Sequence, residues 1–393
     1  MDHTSPVIAS YCARFLPAEM WHVYRQINGL HFNHRVITRN RSNEERFPYR
    51  HVRRVRKSPW RILHRWTRTS NHPAAALPAS EQRHVLRMLQ DEQVELLHVY
   101  LGSEALRLPM VLRCFSGARI VSFHGADLSH NYHAEQYAPL WPEATLVLCR
   151  CRALANRLQE LGCPQHKIRI HYTGVPVPEE SSEPSCDPLH VLQVCRLIEK
   201  KGLDVTLRTM AKLIHHHQIH AVLDVAGEGP MKEKLIALAD TLGISKHVRF
   251  HGFVSGLALE ALFRKASFFM HPSRITSEGD REGIPNSLLE AMAYGIPVIA
   301  TPHSGIPEAV QHSINGWLIP GEDADAAAEC IVGALNDKPG LDRIRNEARH
   351  TIQNQFSITR CVEALETFYK EALQLRHADS TLSTVRPSME SPL

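Results

Sequence analysis

Glu282-Gly283-Ile284-Pro285-Asn286-Ser287-Leu288-Leu289-Glu290-Ala291-Met292-Ala293-Tyr294-Gly295-Ile296-Pro297-Val298-Ile299-Ala300 is the stretch that decides the fold. Pro285 has no N–H to lose, so it suits the first turn of a helix. The run Ser287–Tyr294 reads as a short helix, Gly295 closes it, and the chain restarts as an apolar strand over Ile296–Ala300. Just upstream, Met270-His271-Pro272-Ser273 ends another strand and leads into a polar loop. Strand, loop, helix and strand in succession imply parallel strands with helices on the sheet faces.

The same alternation extends outward in both directions. The earlier strands are Val7–Ser10, Arg35–Thr38, Leu96–Tyr100, Arg119–Phe123, Leu146–Cys149 and Lys167–His171. After a polar, proline-containing stretch at Pro176–Pro188 the series restarts with His190–Val194, Val222–Ala226, Val248–His251, Ser267–Met270 and Val298–Ala300. Helices are expected over Leu203–Ile214, Met231–Leu242, Leu257–Lys265 and Ala324–Leu335. The fold class is therefore α/β, with two doubly wound, Rossmann-like parallel-sheet domains facing a cleft. Ligands of such sheets sit at the carboxyl ends of the strands. We expect domains over 1–180 and 189–355, and a helix over 356–375 returning to the first. The polar, aperiodic residues 376–393 are expected to form a disordered tail.

The 393 residues suffice for two domains of ordinary size. No run approaches the roughly 18 to 20 apolar residues of a membrane span. The first residues lack the basic start and apolar core of a signal peptide, so a cytoplasmic protein is expected. Nine scattered cysteines without a Cys-x-x-Cys pair read as reduced, mostly buried thiols. The net charge of +4 is unevenly placed: 24 basic against 15 acidic side chains over 1–180 give +9, and 21 against 26 beyond give −5. Residues 35–68 hold twelve basic side chains against Glu44 and Glu45 alone. Within them Trp60, Leu63 and Trp66 recur at three-residue spacing among arginines. That pattern suits a helix on an anionic membrane surface, the alternative being a solvated face. No nucleic-acid recognition motif accompanies the charge.

Three loops carry candidate chemistry. Glu282 lies just ahead of the short helix and Glu290 about one turn inside it. The N–H groups of Asn286 and Ser287, at the helix N-terminus, favour a phosphate. Cys195-Arg196-Leu197-Ile198-Glu199-Lys200-Lys201-Gly202 follows the first strand of the second half, where Arg196 and Lys201 can neutralise a diphosphate without a metal. Ala226-Gly227-Glu228-Gly229-Pro230 also follows a strand; by itself it is a common turn, with Glu228 a loop carboxylate. The run His215-His216-His217 ends a helix, where cations suit the dipole. No Asp-x-Asp stands at a strand end.

In combination, Glu-x7-Glu, Arg-x4-Lys-Gly and the Ala-Gly-x-Gly-Pro loop resemble the retaining glycosyltransferases of family 4, of GT-B fold, over most of residues 95–375. Glu278-Gly-Asp-Arg-Glu-Gly-Ile-Pro and Thr301-Pro-His-Ser-Gly-Ile-Pro-Glu308 look like the bacterial exopolysaccharide and colanic-acid-type members. Phe15-Leu16-Pro17-Ala18-Glu19 with Gln26 is similar to that subgroup's start, although Ala18-Glu19-Met20 replaces its Ser-Glu-Thr. The resemblance implies a nucleoside-diphosphate-sugar donor, no metal cofactor, and transfer with retention to a lipid-linked or oligosaccharide acceptor. It implies that Arg196 and Lys201 bind the diphosphate, Glu282 the sugar hydroxyls and Glu290 the ribose. Phe253 and Val254, in His251-Gly252-Phe253-Val254, would face the base, and His124 would lie beside the anomeric centre. The competing readings are a nucleotide-sugar epimerase or phosphorylase of the same fold, and a non-catalytic nucleotide-binding partner in a polysaccharide assembly. On this reading the protein works at the inner face of the membrane, with residues 35–68 on anionic lipid.

Overall fold

The computed structural model describes residues 5–15, 20–45, 47–57, 75–128, 133–182, 187–276 and 282–384. They form two compact units. One runs to His171 and resumes at Val362; the other is Tyr172–Cys361.

The first unit is built on seven parallel strands: β1 (Val7–Phe15), β2 (Asn33–Arg41), β3 (Val52–Arg54), β4 (Leu96–Tyr100), β5 (Ala118–Phe123), β6 (Leu146–Cys149) and β7 (Ile168–Ile170). Their order is β3-β2-β1-β4-β5-β6-β7. Every residue of β4 and β6 is buried, as expected of strands covered on both faces. Leu365, Tyr369 and Ala372 of the last helix (Ile358–Thr384) pack with Ile8, Leu96, Ile120 and Leu148 into one core cluster. His98 sits inside this core in the middle of β4. Its Nδ1 meets the Tyr369 hydroxyl at 2.8 Å and its Nε2 the Ser122 hydroxyl at 2.7 Å, and burial keeps the ring neutral. A buried imidazole with both nitrogens bonded is tolerated because nothing polar is left unmet.

The second unit has six parallel strands: β8 (Leu189–Val194), β9 (Ala221–Ala226), β10 (Val248–Gly252), β11 (Phe268–His271), β12 (Val298–Ala300) and β13 (Trp317–Leu318). The order is β10-β9-β8-β11-β12-β13, so the winding direction reverses between β8 and β11. Successive residues of β11 serve opposite faces, as a two-residue period requires. Phe268 and Met270 pack with Leu203, Leu207 and Met210, whereas Phe269 packs with Leu288, Leu289 and Met292.

The deciding stretch folds as a helix over Asn286–Ala293. Pro285 is its N-cap, one residue ahead of the expected position, and its carbonyl accepts from Leu288 and Leu289. At the other end Gly295 takes φ 71°. Its N–H reaches the Met292 carbonyl at 2.9 Å, and the Ile296 N–H reaches the Ala291 carbonyl at 3.0 Å. This paired closure is the Schellman arrangement, and only a glycine enters that φ without strain. Leu288, Leu289 and Met292 are fully buried, each worth about 1.5–3 kcal/mol relative to exposure.

The structure corrects the expectations at four places. β3 and β13 were not anticipated. Residues 172–180 belong to the second unit, not the first. Residues 356–361 also stay with the second unit, and the chain rejoins the first at Val362. The last helix continues past Arg376 to Thr384, where a disordered tail was expected; residues 385–393 lie outside the described residues. Among the described residues no helix is long and apolar enough to cross a membrane.

Candidate functional site

The reversal between β8 and β11 places two loops side by side at the carboxyl ends of adjacent strands, where doubly wound sheets bind ligands. The loop after β8 makes a tight turn over Glu199–Lys201 and enters the helix Leu203–His215 through Gly202, at φ 63°. A β-carbon on Gly202 would lie 1.8 Å from the Pro272 carbonyl oxygen, so glycine lets this turn seat directly on the loop after β11. The Arg274 N–H donates to the Lys200 carbonyl at 3.0 Å, and the Gln193 side-chain amide donates to the Lys201 carbonyl at 2.8 Å. The two loops are thus stitched into one surface.

Onto that surface the chain brings Glu282. Lys201 Nζ donates to its Oε2, and Lys200 Nζ lies 3.6 Å from Oε1. The three side chains are only 12 %, 7 % and 9 % exposed for Lys201, Lys200 and Glu282. Burial alone would push the Glu282 carboxyl up. Lys201 first and Lys200 second outweigh burial and hold it at about 2, so it is a carboxylate at neutral pH. Its backbone N–H donates to His303 Nε2 at 3.2 Å. His271, at the end of β11, is fully buried, and burial together with Lys201 lowers it to about 3. Neither of its ring nitrogens has a hydrogen-bond partner among the described residues.

Of the residues expected from sequence, Lys201 and Glu282 meet directly. Lys200, His271 and His303 join them and were not anticipated. Arg196 is exposed on the same loop: its carbonyl accepts from the Ile198 N–H at 2.9 Å, while its guanidinium makes no hydrogen bond or ion pair with any described residue. The glycine loop has a packing reason: β-carbons on Gly227 and Gly229 would lie 1.8 Å from the Cys195 carbonyl oxygen and 2.4 Å from that of Leu197. Its role is to lock against the Arg196 loop, while Glu228 pairs with Lys232 at 3.1 Å. The Gly227 N–H donates to the Gly252 carbonyl at 2.7 Å, which fixes the start of the loop bearing Phe253 and Val254. Phe253 is 56 % exposed and Val254 half-buried. Asn286 and Ser287 form the first turn of the short helix, and no side chain caps it. Glu290 is half-buried in the same helix. Of the neighbouring histidines, His215 meets the Leu242 carbonyl and His217 faces Glu329 at 3.5 Å.

His124 belongs to the first unit, at the end of β5. Its backbone N–H donates to the Asp127 carboxylate at 3.0 Å, and Arg150 donates to its ring Nε2 at 3.1 Å. Arginine has no acceptor, so Nε2 is unprotonated and the ring proton sits on Nδ1. Burial first, then Arg150, keeps this ring well below the usual histidine range. Arg150 also reaches His171 Nδ1 at 3.1 Å and the buried Gln26 at 3.5 Å.

The basic stretch is less free than its charge count implies. Arg35 and Arg53 both clamp Glu92, Arg39 pairs with the fully buried Glu81, and Arg41 and Arg54 both face Glu44. Five of the twelve cations of residues 35–68 are therefore committed to carboxylates. The tryptophan-bearing part, residues 58–68, lies outside the described residues.

The sequence profile of the family "Glycosyl transferases group 1" matches residues 179–351. The chain is 35% identical over 243 residues to the putative colanic acid biosynthesis glycosyltransferase WcaL of Escherichia coli K12, covering 60% of each. It is 32% identical over 267 residues to the amylovoran biosynthesis glycosyltransferase AmsK of Erwinia amylovora, covering 66% of this chain and 65% of that one. The chain thus spans less than two thirds of the length of these relatives. Among solved structures, Anabaena HepE in complex with UDP-glucose superposes with a TM-score of 0.75 at 16% identity, over 93% of this chain and 99% of that one. Sucrose-phosphate synthase of Thermosynechococcus elongatus follows at 0.73, 16% identity, over 93% and 98%. The chain has the two-unit GT-B fold, and its residues 179–351 are a glycosyl transferases group 1 domain.

Proposed function

We propose that the protein is a retaining glycosyltransferase of EC class 2.4. It would move a sugar from a nucleoside diphosphate sugar to a glycan acceptor, lipid-linked, in exopolysaccharide or other cell-surface polysaccharide synthesis. The observation that carries this reading is the buried Lys200–Lys201–Glu282 cluster at the strand reversal of a glycosyl transferases group 1 domain. The colanic acid and amylovoran names of the relatives support the polysaccharide class. The UDP-glucose held by the HepE structure supports a nucleotide-sugar donor.

On this reading the bond between the anomeric carbon and a diphosphate oxygen breaks, and its electron pair leaves with the nucleoside diphosphate. Negative charge builds on that oxygen, so cations fixed beside it stabilise the transition state more than the ground state. Arg196, Lys201 and the amide end of the helix Asn286–Ala293 are the candidates, and they make a metal unnecessary. Glu282, ionised, accepts hydrogen bonds from sugar hydroxyls, Glu290 holds the ribose, and Phe253 and Val254 line the base. The acceptor hydroxyl bonds to the anomeric carbon on the face the diphosphate leaves, and its proton passes to a leaving-group oxygen. His124 presents an Nδ1–H and thus serves as a hydrogen-bond donor, not as a base. Residues 35–68 would hold the protein on anionic lipid at the inner face of the membrane.

The test is to incubate the purified protein with a panel of nucleotide sugars and lipid-linked acceptors, with and without chelator. Acceptor-dependent release of nucleoside diphosphate is expected. Release from no pair refutes the reading, and a sugar-nucleotide interconversion without acceptor would replace it by epimerisation.

A further inference from the structure

Glu282 is bracketed by two lysines that are neighbours in sequence, each facing a different oxygen of one buried carboxylate. Residues i and i+1 on a regular helix point well apart. Here the tight turn Glu199–Lys201 ahead of left-handed Gly202 lets both side chains reach the same group. The backbone on either side is pinned, by Arg274 at the Lys200 carbonyl and by Gln193 at the Lys201 carbonyl. His303 pins the backbone of Glu282 itself. The pairing is therefore built into three loops at once.

The donor reading asks Lys201 to hold a diphosphate, yet in this structure Lys201 donates to Glu282. One ammonium cannot serve both anions fully. Pulling a cation from a buried carboxylate leaves that charge poorly compensated, which strongly disfavours the move unless another cation remains. Lys200 is such a cation, deeper than Lys201 and on the other carboxylate oxygen.

We propose that Lys200 is a positioning residue that retains Glu282 as a charged, fixed carboxylate while Lys201 transfers from Glu282 to the diphosphate of the donor. The proposal rests on the donor-site reading above. It assigns the two adjacent lysines opposite duties: one stays with the protein's carboxylate and the other is exchanged to the ligand. Without Lys200, Lys201 is trapped by Glu282, and nucleoside diphosphate must compete with a buried carboxylate for it.

The experiment is calorimetric titration of the full chain with UDP and GDP. Four proteins are compared: wild type, Lys200→Met, Lys200→Met with Glu282→Gln, and Lys200→Met with Glu199→Gln. Lys200→Met is expected to weaken the nucleoside diphosphate at least about tenfold, a loss of about 1.4 kcal/mol. Adding Glu282→Gln frees Lys201 and restores affinity to within about twofold of wild type, although turnover stays lost. Glu199 is an exposed acid on the same turn. Adding Glu199→Gln restores the net charge without freeing Lys201, so the affinity stays low. Lys200→Arg keeps a cation in place and is expected to bind like wild type. Wild-type affinity in Lys200→Met overturns the proposal. So does weak binding that Glu282→Gln leaves uncorrected, or recovery with Glu199→Gln equal to that with Glu282→Gln. Failure of the wild type to bind either nucleotide overturns the donor reading itself and this proposal with it.

Discussion

Replacing Gly202 by alanine tests whether the seat of the Lys200–Lys201 turn on the loop after β11 is the element that organises the site. Two costs add. Alanine at φ 63° enters the left-handed region, at about 1 kcal/mol. Its β-carbon would also stand 1.8 Å from the Pro272 carbonyl oxygen and 2.8 Å from the Pro272 carbonyl carbon. Both are backbone atoms, so one loop must move by more than an ångström, and overpacking of that kind costs about 1–3 kcal/mol. The total is about 2–4 kcal/mol, which for a unit the size of Tyr172–Cys361 is a melting-point fall of roughly 5–15 °C. Gly243 is the control: it closes the helix Lys232–Thr241 at φ 69° in the same left-handed well, and an added carbon would meet nothing nearer than His215 Nε2 at 3.6 Å, so Gly243→Ala isolates the conformational cost at about 1 kcal/mol. Thermal unfolding followed by circular dichroism, with and without nucleoside diphosphate, measures both. Gly202→Ala should also lose most of the stabilisation that the nucleotide confers. A fall no larger than that of Gly243→Ala, with nucleotide stabilisation intact, would refute the reasoning.

Two other perturbations probe separate parts of the molecule. Glu81→Ala strips the fully buried partner from Arg39, whose side chain is 8 % exposed, and should cost the first unit about 3–5 kcal/mol; a urea midpoint equal to wild type would show the pair to be dispensable. Glu282 has a folded pKa of about 2 against 4.5 for the free side chain, so its ionised form stabilises the fold above pH 4.5 and that contribution is lost as pH falls towards 2. It amounts to about 3 kcal/mol, and Glu282→Gln should flatten that part of the stability–pH curve; an unchanged acid slope in urea titrations at pH 5, 4 and 3 counts against the pairing.

Much of the fold was legible because buried parallel strands are short continuous apolar runs. Leu96–Tyr100, Leu146–Cys149 and Val298–Ala300 fall where the sequence places them, as does the helix Leu257–Lys265. β3 was hidden because Val52-Arg53-Arg54 is an edge strand, paired among the described residues only with β2, and needs no apolar run. The extension of the last helix to Thr384 was hidden because the sequence beyond Arg376 carries no apolar stripe. The ion pairs of the basic stretch were hidden for a different reason: Arg35, Arg39 and Arg53 find carboxylates about forty to sixty residues away in sequence, at Glu81 and Glu92. Within the candidate site, spacing pointed to Arg196, Lys201, Glu282 and Glu290. It could not show that Lys200 turns to the same carboxylate as Lys201, since that depends on a three-residue turn and on Gly202. His271 was legible only as the end of a strand; its buried, unpartnered nitrogens emerge from packing.

The first unit is discontinuous, and that bears on how the protein is made. Tyr369 supplies the hydroxyl for His98, and with Leu365 and Ala372 it completes the core around Ile8, Leu96 and Leu148. These residues leave the ribosome only after the whole of Tyr172–Cys361 has emerged. The later unit, continuous in sequence, can reach its native state first, while the earlier one waits with an open hydrophobic seam and an unmet buried imidazole. A chain cut short before Val362 would therefore lose the half that was synthesised first, and expression of residues 5–171 alone should yield an aggregation-prone species that a separately supplied 358–384 peptide can rescue.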